Sequence, residues 1–195
     1  MKCFLIFLII SYISNSFQQE SDISTKSCEL DNSCVADYTP SKIPIRQAFF
    51  TFYESYPMCC PDSPNYDPSA PVEDCDDYTC CEYSGDFAAL GHKPLEFVEK
   101  NNLVVLYDNK DPDGEKWHEN YGNKTIEISK MYNGKLVTFN ASIADACVNA
   151  DCDGCCSRDS QSTGYLLVME YYTVLRHFGS DKAVNGLISF RVFDE

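Results

Sequence analysis

The stretch GKLVTFNASIADAC, residues 134–147, decides how the chain is read. Leu136, Thr138, Asn140, Ser142 and Ala144 alternate with Val137, Phe139, Ala141, Ile143 and Asp145. Successive side chains of a strand point to opposite faces, so this period of two predicts a strand with one apolar face and a carboxylate, Asp145, at its end. Asn133-Gly134 just before it suits a tight turn, which pairs residues 135–145 with residues 125–129 as a hairpin. The cysteines Cys147, Cys152, Cys155 and Cys156 follow at once.

Working outward, residues 165–178 carry Leu167, Tyr171, Val174, Leu175 and Phe178 at helical spacing, with Gly179 as the stop. Residues 186–192 read as a closing strand. Upstream, the aromatic, β-favouring run at 47–55 predicts the first core strand and residues 103–107 a buried one, while 94–100 suits a short helix with Pro94 in its first turn. Residues 108–121 read as an acidic loop carrying the only tryptophan, Trp117. The proline-, aspartate- and cysteine-rich segment 56–83 has the composition of an irregular insertion held by bridges. The fold class expected is mainly β with one or two short helices and disulfide-rich loops.

Residues 1–16 pair Lys2 with the short apolar run 3–10 and end in small polar residues, the pattern of a cleaved secretory signal. No later stretch is apolar enough to span a bilayer. Residues 17–46 read as a flexible lead-in, and residues 47–195 as one domain. The formal net charge is −15, and −16 once Lys2 leaves with the signal. So acidic a chain without a basic patch argues against nucleic acid and anionic membranes as partners.

Of twelve cysteines, eleven remain after loss of Cys3. In a secreted chain they form a disulfide framework drawn from Cys28, Cys34, Cys59, Cys60, Cys75, Cys80, Cys81, Cys147, Cys152, Cys155 and Cys156. Cys28 and Cys34 are placed to close a local loop. The adjacent pairs Cys59-Cys60, Cys80-Cys81 and Cys155-Cys156 are expected to bridge elsewhere, since neighbouring cysteines close on each other only in a strained geometry. Two sequons, at Asn123 and Asn140, fit a secreted glycoprotein, and Asn140 falls on the polar face of its strand.

Four motifs in order resemble the double-psi β-barrel of the expansin, barwin and rare-lipoprotein-A group. Thr51-Phe52-Tyr53 is similar to the family's Ala-Thr-Phe-Tyr opening strand, with Phe50 in place of the alanine. Phe87-Ala88-Ala89-Leu90 is similar to its Thr-Ala-Ala-Leu segment. Residues 134–147 resemble its Gly-Lys, alternating strand and Asp-x-Cys pattern, and residues 186–192 its closing strand. The resemblance implies a six-stranded double-psi β-barrel over residues 47–193, similar to the expansin first domain and without the second carbohydrate-binding domain. It departs at one point: counting back from Leu175 and Tyr172 puts Leu166 where expansins and family 45 endoglucanases carry an aspartate, with Glu170 or Asp159 as substitutes only in a shifted alignment.

Glycoside hydrolysis needs two carboxyl groups about 5 to 9.5 Å apart across the scissile bond. Asp145 and Glu54 are the candidates, but with Leu166 at the family's acid an enzyme is not the expected reading. Asp145 is read instead as a turn carboxylate that accepts backbone hydrogen bonds and pins the loop begun by Cys147. Tyr53, Tyr56 and Trp117, with Asp145, are the candidates for a polysaccharide platform, since aromatic faces stack on sugar rings.

The spacing of Cys147, Cys152 and Cys155 fits zinc, but an oxidising compartment favours bridges, so no metal and no cofactor is expected. The function expected is that of a secreted, monomeric, expansin-like protein of the extracellular space or cell wall that binds polysaccharide without hydrolysing it. A protein-binding module such as a protease inhibitor or effector is the alternative, and a weak glycoside hydrolase or lytic transglycosylase the third.

Overall fold

A computed structural model describes residues 43–70, 79–180 and 186–194. The signal segment, the lead-in up to residue 42, Cys28, Cys34, Cys75 and the side chain of Cys80 lie outside the described residues. Six strands close into a barrel: β1 (Arg46–Tyr53), β4 (Leu103–Asp108), β5 (Thr125–Tyr132), β6 (Lys135–Ala146), β7 (Tyr165–Glu170) and β8 (Leu187–Val192), in the order β1-β7-β4-β6-β5-β8. Two pairs are parallel, β1 with β7 and β4 with β6, and the other four antiparallel. This mixed pairing is compatible with a double-psi barrel. Closure leaves the barrel no free edge.

The β5–β6 hairpin turns at Asn133 and Gly134, whose φ values of 48° and 74° are the left-handed pair that a two-residue hairpin turn requires. Its register pairs Ile128 with Phe139 and Ile126 with Ala141, so the alternation read from the sequence faces inward here. The barrel interior holds Ala48, Phe50, Val104, Leu106, Ile143, Leu167, Met169 and Phe190 in one buried cluster. β4 and β7 lie mid-sheet and are covered on both faces. Val105, Tyr107, Leu166 and Val168 form a second cluster outside the barrel with Cys147, Cys155 and Cys156.

That double burial corrects one expectation. Residues 165–178 are not a single helix: Tyr165–Glu170 is β7, and only Tyr171–Phe178 is helical, α5. The helical spacing of Leu167 with Tyr171 spans a junction, and the run Leu166–Met169 is continuous because a mid-sheet strand buries both faces. Glu170 ends the strand and caps the helix, its side chain accepting the amide of Tyr172 at 2.7 Å, and Gly179 at φ 73° closes it.

Helices are also more numerous than the one or two expected. Besides α5, the described residues hold α1 (Thr79–Glu82), α2 (Leu95–Lys100), α3 (Trp117–Asn120) and α4 (Cys155–Ser160), all of four to six residues. A two-stranded hairpin, β2 (Asp86–Phe87) and β3 (Gly91–His92), completes the elements. Residues 56–70 form turns without helix or strand.

The barrel interior should dominate stability. Leu167→Ala, at a fully buried position, is expected to cost about 2–5 kcal/mol in urea unfolding. Leu187→Ala, on a side chain 48% exposed, should change it by less than about 0.5 kcal/mol.

Candidate functional site

The strand β6 does not carry its alternation through to Asp145. In the parallel pairing with β4, Val104 faces Ile143 but Val105 faces Asp145, so Ala144 is an extra residue, a β-bulge. Simple alternation would place Asp145 inside the barrel with Ile143. The bulge turns it to the outer face beside Val105.

The bulge also forms a dock. The carbonyl of Ala144 accepts the amide of Ala89 at 2.9 Å. Asp145 Oδ1 accepts the amides of Ala88 at 3.1 Å and Ala146 at 2.9 Å. The segment Phe87-Ala88-Ala89-Leu90 is thus held against the end of β6, and Phe87 packs with Tyr56, Val98, Leu103 and Ala144 in a third buried cluster.

Gly85 anchors the other side of this cover. Its amide donates to the carbonyl of Ser55 and its carbonyl accepts from Lys93, both at 2.8 Å. With φ at 75° and a Cβ that would strike the Tyr56 hydroxyl and the Lys93 carbonyl, the position admits only glycine without rearrangement.

A second carboxylate lies under the same cover. Glu170, fully buried, pairs in register with Tyr53 across β7 and β1. Its Oε1 accepts the Ser55 hydroxyl at 3.1 Å and its Oε2 the Tyr172 amide. Burial pushes its pKa up from 4.5 to about 7, with the hydrogen bonds from Tyr172 and Ser55 acting in the opposite sense. The Tyr53 hydroxyl is buried with no hydrogen-bond partner among the described residues. Burial first, then the charges of Glu170 and Asp145, raise its pKa well above the ordinary tyrosine value. Tyr53, Asp145 and Glu170 therefore form one electrostatic cluster, in which both acidic residues are buried and the half-buried Tyr53 has its hydroxyl enclosed.

The other predicted residues are placed differently. Leu166 lies four residues back along β7, 2% exposed and packed against Val105 and Tyr107; Glu170 is the carboxylate at the strand end. Asp159 sits on α4. Glu54 follows β1 and its Oε2 accepts the Met58 amide at 3.4 Å, a turn contact. Trp117 is not a surface platform. It is 4% exposed in the barrel cluster, and its indole N–H donates to the Leu106 carbonyl at 2.9 Å, because the loop that carries it folds into α3. Tyr56 is also buried, its hydroxyl donating to the Lys93 carbonyl at 2.5 Å. Asn123 and Asn140 are both exposed.

Disulfides join Cys60 to Cys81, Cys147 to Cys156 and Cys152 to Cys155, and Cys59 is also bridged. Cys155 and Cys156 each close on a different partner, as their adjacency required. The Cys147, Cys155 and Cys156 sulfurs lie within 4.8 Å of one another, all engaged in these bridges.

An open groove of about 650 Å³ lies beside the cover. Tyr56, Ser63, Glu82, Ser84, His92 and Leu95 line it. The Ser84 hydroxyl is buried without a partner among the described residues. Tyr66 and Tyr83, 46% and 42% exposed, come from the same two segments that line the groove. The sequence reading passed over both, because they lie in the irregular insertion where no periodicity assigns a face. Glu170 was reachable as the last residue of an apolar run before a helix, the position of a capping carboxylate.

The chain matches no protein-family model, no curated protein and no solved structure in comparisons with all three.

Glu170 makes stability pH-dependent with a defined sign. The folded protein holds the Glu170 proton up to about pH 7 and the unfolded chain releases it near 4.5. The folded state thus binds more protons across that window, and stability falls as pH rises through it, by up to about 3 kcal/mol. Urea unfolding from pH 4.5 to 8 should show this decline in the natural protein and a flatter profile in Glu170→Gln.

Proposed function

We propose that the protein is a secreted, expansin-like double-psi barrel that binds neutral extracellular polysaccharide without hydrolysing it. The observation that carries this reading is the open groove, together with the exposed Tyr66 and Tyr83 on the two chain segments that also line it. Such rings stack on the apolar faces of sugar units while their hydroxyls stay hydrated. The exposed side chains of Glu82 and His92, which line the groove, supply hydrogen-bonding groups to a sugar chain lying in it. The aromatic platform of this proposal is thus Tyr66 and Tyr83, with Tyr56 as a buried wall.

The same geometry weighs against hydrolysis. A glycosidase carries its carboxyl pair on either side of the bond to be cut, with one member free to give a proton to the leaving oxygen. Here Asp145 accepts two backbone amides and Glu170 is buried and doubly hydrogen-bonded. Both lie beneath the cover rather than across the groove. The formal charge of −15 further favours a neutral polymer over an anionic one.

Sedimentation with insoluble cellulose and with chitin tests the proposal. The protein is expected to co-sediment with at least one, to release no reducing sugar, and to lose most of the bound fraction in Tyr66→Ala/Tyr83→Ala. Release of reducing ends would replace binding with hydrolysis. Failure to sediment, together with stoichiometric inhibition of a cysteine protease, would replace it with a protein-binding role.

A further inference from the structure

Cys152-Asp153-Gly154-Cys155 closes a disulfide across a sequence separation of three. A bridge restrains the unfolded chain less as its loop shortens, so this one contributes little to stability through loop closure. It differs from Cys60–Cys81, which spans 21 residues, and from Cys147–Cys156, which spans nine.

Its surroundings give it a second property. Cys152 is half-exposed whereas Cys155 and Cys156 are buried. Cys156 Sγ lies 3.8 Å from Cys152 Sγ and 3.7 Å from Cys155 Sγ, so the two disulfides are in direct van der Waals contact. Cys147 Sγ is within 4.8 Å of both Cys155 and Cys156. Thiol–disulfide exchange requires a thiolate to reach the sulfur of an existing bridge, and this cluster holds four sulfurs at that reach with one accessible entry point.

We propose that Cys152–Cys155 is a dithiol–disulfide exchange site that oxidises cysteine-type dithiols, with Cys147–Cys156 as a second pair in exchange with it. A substrate thiolate attacks Cys152 Sγ, the bond to Cys155 breaks, and Cys155 leaves with the electron pair and takes up a proton. The second substrate thiol loses its proton and attacks the substrate sulfur of the mixed disulfide, releasing Cys152 as a thiolate. The substrate has become a disulfide by losing two electrons, and Cys152 and Cys155 have gained them.

From this form the Cys152 thiolate attacks Cys156 Sγ, forming Cys152–Cys156 and releasing Cys147 as a thiolate, with no net change of oxidation state. A low-molecular-weight disulfide restores the pairs by accepting the two electrons. The released Cys147 lies two residues after Asp145, at the end of the strand that docks the cover.

Native, oxidised full-length protein is exposed to limiting dithiothreitol, quenched with iodoacetamide and mapped by mass spectrometry. Label is expected on Cys152 and Cys155 at least about tenfold faster than on Cys60 and Cys81. A smaller fraction should carry label on Cys147 and Cys155 and yield a Cys152–Cys156 peptide. Equal labelling of Cys60 and Cys81, or labelling of Cys152 and Cys155 only in denaturant, would overturn the site. Absence of the Cys152–Cys156 peptide would overturn the exchange between pairs. In a second measurement the natural protein should accelerate oxidation of dithiothreitol by glutathione disulfide. No acceleration would overturn the activity.

Discussion

One extra residue, Ala144, governs the outer face of the barrel. Had β6 kept a strict period of two to its end, Asp145 would point into an interior filled by Val104, Leu106 and Ile143, where an unpaired carboxylate is expensive. The bulge turns that charge outward, frees the carbonyl of Ala144, and so presents an acceptor pair to Ala88 and Ala89. The cover formed by β2, β3 and α2 has its seat there, and Asp145, Glu170 and the Tyr53 hydroxyl are withdrawn from water.

The burial of those groups separates holding from doing. Glu170 caps α5, is held by Ser55 and lies in register with Tyr53, so it ties the end of β1, the end of β7 and the start of the helix. Its carboxyl is poised near neutrality by desolvation, a value that in an open cleft would suit a general acid. Enclosure withholds substrate from it. The irregular insertion, by contrast, exposes Tyr66 and Tyr83, and its bridge from Cys60 to Cys81 fixes one wall of the groove.

The barrel was legible because its signals are local and repeated. Alternation over residues 135–143, the Asn133-Gly134 turn and the apolar runs of β1, β4 and β8 each point to the element observed. Reading failed where burial on both faces erases period two, so that β7 merged with α5 across Glu170. It failed again at Ala144, since a bulge depends on the pairing with β4 and leaves no mark on β6 alone. Trp117 shows a third limit: an acidic, glycine-bearing loop reads as surface, yet its one large aromatic is what fastens it to the core through Leu106. Of the site, Asp145 and the segment Phe87-Ala88-Ala89-Leu90 were each marked in the sequence, but that they touch could be learned only from the fold.

The central claim is that Asp145 is a structural carboxylate that seats the cover on the bulge. Amide hydrogen exchange at Ala88 tests it most directly, because Ala88 is itself exposed and its amide is shielded by the bond to Asp145 Oδ1. The account predicts an Ala88 amide protected in the natural protein and released selectively in Asp145→Ala, with strand β5 unchanged. An Ala88 amide that exchanges at the free-chain rate in the natural protein would contradict it.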